Sequence, residues 1–184
     1  MTKIEKERRW LLKSFPSLEG SGLEYKMFDI SQLYTEDGWR YRETFDRQTE
    51  LMDWIKLKKI SMGEGLNYEL DTQVITEADM DAVVEKGMEN NSLRICTKTR
   101  FIFDYLGRTF EIDVFDTVAL IILEIEDVEM GDVIQFPDFM KDLIIKEITG
   151  DKAFNNYNLA SIYTVNDENN ENVHNQTVTR EAEY

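Results

Sequence analysis

A single histidine, a single cysteine and two prolines in 184 residues set the first limits on this chain. With only Cys96, no intramolecular disulfide can form, and a reducing, cytoplasmic compartment is the expectation. His174 lies in a polar stretch near the C-terminus, which sets aside histidine triads and histidine-ligated zinc. Any metal would be a hard cation held by oxygen ligands. The N-terminus has no apolar signal core, and no run approaches the roughly 18 apolar residues of a membrane span, so neither export nor membrane insertion is read. Positive charge is scarce too: 21 Lys and Arg against 37 Asp and Glu give a formal net charge of −16. That balance argues against nucleic acid or an acidic membrane as partner, while leaving room for a local basic pocket.

What the chain does have is period two. Apolar and polar residues alternate through most of residues 3–128, predicting strands at 3–12, 25–34, 39–46, 51–60, 67–75, 92–105, 108–116 and 120–128. The turn signals "EDG", "MGEG" and "LG" separate several of them. "TEADMDAVVEKGME", residues 76–89, breaks the rhythm and predicts a helix capped by Thr76, with Met80, Val83 and Val84 on one face. A second helix is expected over 137–147, with Phe139, Leu143 and Ile144 on its apolar face, and a short third at 155–160. Past residue 164 the composition turns rich in Asn and Glu with little to bury. One domain, 1–164, followed by an acidic disordered tail, 165–184, is the expected organisation.

The strands carry charge in an unusual way. "IEKERRW" puts Glu5, Glu7 and Arg9 on alternate positions; "WRYRE" does the same with Arg40 and Arg42, and "IKLKK" with Lys56 and Lys58. Asn67, Glu69 and Asp71 alternate in the next strand; Lys98 pairs with Arg100, Glu111 with Asp113, and Glu124 with Glu126. Residues two apart on a strand share a face, roughly 6–7 Å apart. One such pair is an ordinary solvent face. Many pairs, most of a single sign, with apolar residues at the intervening positions, point elsewhere. Eight strands can close into a small barrel with the charged faces inward and the apolar faces outward, partly covered by the helices. Desolvating so many charges costs several kcal/mol per ion, so the interior makes sense as a wet, functional cavity. A phosphate chain carrying Mg²⁺ or Mn²⁺ satisfies cations and carboxylates together. Phosphoryl transfer needs chiefly positioning and charge stabilisation, so the missing histidine is no obstacle.

These residues resemble a known family. "EKERRW" is similar to the Glu-x-Glu-x-Lys signature of CYTH domains, the triphosphate tunnel metalloenzymes. "WRYRE" resembles the family's Arg-x-Arg strand and "IKLK" its strand ending in a phosphate-binding lysine. "KTRFIF", "FEIDVF" and "LEIE" follow in the family's order, and "ITGDKAFNNYNLA" is similar to its closing segment. The resemblance spans about residues 3–160. It implies a mainly β, α+β fold: a closed eight-stranded antiparallel β-barrel with helices packed outside. Family members hydrolyse tripolyphosphate, thiamine triphosphate or RNA 5′-triphosphate ends, or cyclise ATP. By the resemblance, Glu5, Glu7, Glu111, Asp113, Glu124 and Glu126, with Glu69, become metal-ligand candidates. Arg9, Arg40, Arg42, Lys58, Lys98, Arg100 and Lys152 become triphosphate contacts, and Lys56 ranks below them.

Departures from the family pattern stand beside the matches. Arg9 replaces the usual Lys and is never deprotonated. "GLNYEL" keeps Glu69 but has Gly65 and Asn67 where a basic and an acidic residue are usual, and Ala153 stands where a basic residue is often found. Tyr34 lies where hydrolytic members carry a tyrosine; with Arg9 it is assigned the orientation of an attacking water, against an alternative as a buried strand aromatic. Trp10, Trp39 and Trp54 are read as wall packing rather than a base-stacking platform. The methionines are read as packing residues, and Cys96 as facing the lumen without a catalytic role. The expected function is divalent-metal-dependent hydrolysis of a triphosphate by a monomer or homodimer. A cyclase making cyclic AMP and a non-catalytic polyphosphate-binding module are the alternatives.

Overall fold

The computed structural model describes residues 3–63 and 65–163. Eight strands are consecutive in sequence: β1 (Lys3–Leu12), β2 (Tyr25–Tyr34), β3 (Arg40–Asp46), β4 (Leu51–Gly63), β5 (Leu66–Val74), β6 (Leu93–Tyr105), β7 (Arg108–Phe115) and β8 (Ile121–Glu126). They pair in the order β6-β2-β3-β4-β5-β1-β8-β7, and β7 pairs back to β6, so the sheet closes on itself as an antiparallel barrel. Closure removes the free edges that strands of this length would expose. Two short strands, β9 (Ile144–Glu147) and β10 (Ser161–Tyr163), add to β1 and β6. The tail assigned to 165–184, with His174, lies outside the described residues.

One edge of β1 is shared. Lys3–Lys6 pair with β5, and Trp10–Leu12 pair with β9. At the changeover the Glu7 amide donates to the Gly65 carbonyl at 2.9 Å. Gly65 has φ +74°, and a Cβ there would lie 2.1 Å from the Glu7 carbonyl oxygen. Glycine at this position is demanded by the backbone approach. The basic side chain that the family pattern suggested has no room here.

The outward faces are covered in two places. Helix α1 (Glu77–Glu89) starts with a capping box: Thr76 Oγ1 accepts from the Asp79 amide, and the Asp79 carboxylate accepts from the Thr76 amide. The helix buries Met80 against Leu33 and Leu93, flanked by Tyr41, Trp54 and Ile95. On the opposite side Trp10, Phe103, Phe110, Ile112, Leu123 and Ile125 form a second apolar layer under Val128, Phe136 and Met140. The expected helix over 137–147 is only α2 (Asp138–Lys141), and 144–147 is strand β9. Ile144 and Ile145 are β-branched and reach the stretch of β1 edge that β5 leaves unpaired, so ladder pairing wins over the helical period. The third helix, α3 (Asn156–Leu159), falls inside its expected range.

Inside, Cys96, Phe115 and Ile122 pack with Ile148 and Ala160. Burial pushes the Cys96 thiol up to about 11, which leaves it a packing group. Among the described residues no helix is long and apolar enough to cross a membrane.

Candidate active site: a charged tunnel

Cross-strand pairing decides which side chains meet. Partners in an antiparallel ladder share a face, and the registers carry the charges around the interior. Arg100 stands opposite Asp113, Glu111 opposite Glu124, Glu124 opposite Arg9, and Glu126 opposite Glu7. The circuit continues with Glu5 opposite Asn67, Lys59 opposite Glu69, and Arg40 opposite Tyr34.

The ion pairs fall into groups. Arg100 bridges three carboxylates: Asp113 at 2.6 and 2.7 Å, Glu124 at 2.6 Å, and Glu111. Lys98, 2% exposed, pairs with Asp113, which is 0% exposed. Arg9 Nε lies 2.9 Å from Glu124, and Arg9 Nη2 donates to the Phe154 carbonyl at 3.1 Å. Lys59 sits between Glu5 and Glu7, with Glu7 at 3.4 Å; Asn67 Nδ2 donates to Glu7 at 3.2 Å. Arg40 donates to Glu69 at 3.0 Å. Arg42 differs. It makes no ion pair among the described residues, whereas its buried, unpartnered Nε is a feature it shares with Arg9 and Arg40.

The electrostatics follow this arrangement. Burial lowers the Arg42 pKa, and Arg40 and Arg100 add to the effect; Glu69 and Glu111 oppose it without offsetting it. Burial opposes the charged form of Glu124, yet Arg9, Arg100 and Lys98 hold it well below the usual carboxylate range. Glu111 is pushed up to about 7 by burial; Arg100 opposes this, and Glu124, Glu126 and Asp113 reinforce it. Glu7 is raised by burial and by Glu124.

An open cavity of about 380 Å³ occupies one end of the tunnel. It collects Glu7, Arg9, Tyr34, Arg40, Glu124 and Lys152 from the sequence-assigned site. Arg42, Lys98, Arg100, Glu111 and Asp113 face the barrel interior but do not line this opening, and neither do Glu5, Glu69 and Glu126. The Tyr34 hydroxyl donates to Gln32 Oε1 at 2.9 Å, and Asn156 Nδ2 donates to the same oxygen at 2.9 Å. Burial raises the Tyr34 pKa, so the phenol stays protonated and is no base.

One assignment moves. Lys58 was expected on the tunnel wall, with Lys56 behind it. Instead Leu57 pairs with Arg40 and Ile55 with Arg42, so the apolar residues of "IKLKK" face inward. The ammonium groups of Lys56 and Lys58 lie over the Trp39 ring, at 5.2 and 4.8 Å. The inward lysine is Lys59. The segment carries lysine on both faces, and only the β3–β4 register chooses between them. Trp39 itself precedes β3 and lines the cavity, whereas Trp10 and Trp54 pack in the outer layers. Sequence reading also missed Gln32, whose burial and paired register with Arg42 are tertiary facts.

This barrel matches solved structures. A structure described as the inorganic triphosphatase NE1496 superposes with a TM-score of 0.54 at 21% identity, covering 85% of this chain and 93% of that one. A second, described as the hypothetical protein NE1496, gives 0.52 at 23% identity, covering 86% and 99%. The chain has the CYTH, or triphosphate-tunnel, fold. No protein-family model matches the chain, and no curated protein does.

The tunnel's fit to a divalent cation can be tested on its own residues. The donors are all carboxylate oxygens, suited to Mg²⁺ or Mn²⁺. Glu111 beside Glu124, and Glu7 beside Glu126, crowd like charges into adjacent register positions. Burial raises the pKa of both Glu7 and Glu111, and neighbouring carboxylates add to it: Glu124 and Glu5 for Glu7, Glu124, Glu126 and Asp113 for Glu111. Among the described residues no three acidic groups already converge on one point; their oxygens are turned to Arg100 and Lys59. The donor chemistry fits.

Proposed function

We propose that this CYTH-fold chain binds a triphosphate in the tunnel and hydrolyses it with a divalent metal ion. The observation that carries the reading is Arg42: among the described residues its guanidinium makes no ion pair, inside a barrel where Arg9, Arg40, Lys59, Lys98 and Arg100 each do. A buried cation without a counter-ion is costly, and a bound phosphate oxygen would supply the missing partner.

Arg9, Arg40, Arg42, Lys59 and Lys152 would grip the phosphate oxygens and neutralise charge developing on the leaving group. Arg100 and Lys98 act differently, by fixing Asp113, Glu111 and Glu124 in place. Glu5, Glu7, Glu111, Asp113, Glu124 and Glu126 would hold Mg²⁺ or Mn²⁺, which supplies Lewis-acid polarisation of the phosphoryl group. Tyr34 donates its proton to Gln32, so its oxygen lone pairs remain to accept a hydrogen bond from the attacking water. Arg9 lines the same cavity and can orient that water without serving as base.

The test is incubation with inorganic tripolyphosphate and with ATP, each with Mg²⁺ or Mn²⁺, resolving all products. Orthophosphate release is expected, and it should vanish in a Glu5→Gln, Glu7→Gln double variant that still folds by circular dichroism. Cyclic AMP with pyrophosphate would replace hydrolysis by cyclisation. Tight binding with no turnover would reduce the tunnel to a binding module.

A further inference from the structure

Among the charged side chains of the barrel interior sits a neutral one, Gln32 on β2, only 2% exposed. The residues directly opposite it are Arg42 on β3 and Cys96 on β6. Its amide oxygen accepts twice, from the Tyr34 hydroxyl and from Asn156 Nδ2, each at 2.9 Å. The two donors come from different parts of the fold. Tyr34 lies two residues further along β2 and on the same face. Asn156 opens α3, 124 residues away in sequence. Both line the tunnel-mouth cavity and Gln32 does not, so Gln32 reaches a ligand there only through its partners.

A phenol gives one hydrogen bond and can accept others. An unrestrained hydroxyl beside a phosphate site turns its proton toward the anion, and then grips substrate instead of holding water. Gln32 takes that proton. What Tyr34 offers to the cavity is then oxygen lone pairs, which accept from a water and leave the water's own lone pair free to face an electrophile. Asn156 fixes the Gln32 amide: its Nδ2 faces the same atom, and an amide nitrogen at that place would set donor against donor. Tyr157 meets Tyr34 edge to face, with ring centroids 5.5 Å apart, and restrains the ring.

The residue type matters as much as the contact. An apolar side chain of similar volume would leave the Tyr34 proton to turn to the phosphates. A glutamate would accept equally well, but it would bring a carboxylate opposite Arg42, which makes no ion pair among the described residues, and occupy the charge that a phosphate needs. Only a neutral acceptor serves both neighbours. We propose that Gln32 is a positioning residue for the hydrolysis: it keeps Tyr34 an acceptor for the attacking water and leaves Arg42 to the triphosphate. The inference rests on the triphosphate reading of the tunnel and adds to it a residue that itself meets no substrate.

The experiment measures tripolyphosphate hydrolysis with Mg²⁺ or Mn²⁺ by the full chain and by Gln32→Met and Gln32→Glu variants, each checked for folding by circular dichroism. Methionine keeps the volume and removes the acceptor. Its kcat should fall about tenfold with KM within about twofold. Glutamate keeps the acceptor and adds charge, so kcat should hold within about twofold while KM rises about tenfold. In a Tyr34→Phe background the methionine change should cost no further kcat, because its effect runs through the phenol. A merely structural role would instead lower stability and both kinetic parameters alike in the two variants. That pattern, an unchanged kcat in Gln32→Met, a fallen kcat in Gln32→Glu, or additive losses with Tyr34→Phe would each overturn the proposal. If tripolyphosphate is not turned over, the hydroxyl itself is the readout. The native chain should show a slowly exchanging Tyr34 hydroxyl proton by NMR, assigned by its loss in Tyr34→Phe, which Gln32→Glu keeps and Gln32→Met loses. That result supports the pinned hydroxyl although the hydrolase reading has failed. A proton missing from the native chain, or equally slow in Gln32→Met, overturns it.

Discussion

Two walls of one tunnel solve the same electrostatic problem in opposite ways. On the β6–β7–β8 wall, Lys98 and Arg100 are locked to Asp113, Glu111 and Glu124, with Arg9 joining from β1. On the β3 wall, Arg40 reaches across to Glu69 while Arg42 has no partner among the described residues. The first wall is complete without a ligand; the second is not. A paired buried network holds the barrel's shape, and an unpaired buried cation stores binding energy for an anion at a cost to stability. Architecture and affinity are thereby divided between different strands of one barrel.

Removing the hub of the complete wall should have the largest effect. Arg100→Met strands Asp113, Glu111 and Glu124 as uncompensated buried charges, and should cost about 3–5 kcal/mol in urea denaturation. A loss below about 1 kcal/mol would erase the distinction between the walls. On the incomplete wall the signs separate: Arg42→Ala should raise KM for the triphosphate about tenfold and leave the thermal midpoint unchanged or higher. A clearly lowered midpoint would mean that Arg42 is structural after all.

The same contrast applies across β4, between inside and outside. Lys59→Ala should weaken substrate binding about tenfold, whereas Lys58→Ala should change it by less than about twofold, because its ammonium rests on Trp39. Reversed results would put the strand in the other register. The smallest effect belongs to the barrel's outer surface. Arg8 donates twice to Glu147, at 2.9 and 2.8 Å, and this hydrogen-bonded contact lowers the Glu147 pKa from its ordinary 4.5. A carboxylate depressed in the folded state stabilises above its unfolded pKa and loses that stabilisation as pH falls through the folded value. Urea midpoints should therefore decline below about pH 4.5 slightly more steeply for the native chain than for Glu147→Gln. Parallel declines would assign Glu147 no linkage.

Much of this was legible along the chain. Alternation at Glu5, Glu7 and Arg9, or at Glu111 and Asp113, fixes which residues share a face, because strand side chains alternate whatever the surroundings. Eight such segments and a capped helix at Thr76 follow from the same local rules. Two kinds of information were not local. "IKLKK" offers lysine on both faces, and only its pairing to β3 turned Leu57 inward and left Lys59 among Glu5 and Glu7. The 144–147 stretch became a strand because β1 had an unpaired edge to offer.

The sequence by itself determined a charged face on nearly every strand and, with it, a barrel lined by opposite charges. Only the tertiary structure decided which cation would find a carboxylate and which would not. Pairing is set by register and by side-chain reach across the barrel, and neither is written in any one strand. Arg100 closes onto three carboxylates, while Arg42, two residues past the equally charged Arg40, makes no ion pair among the described residues. The contact of Gln32 with Asn156 arises in the same way: β2 and α3 lie apart in sequence and meet only in the folded barrel.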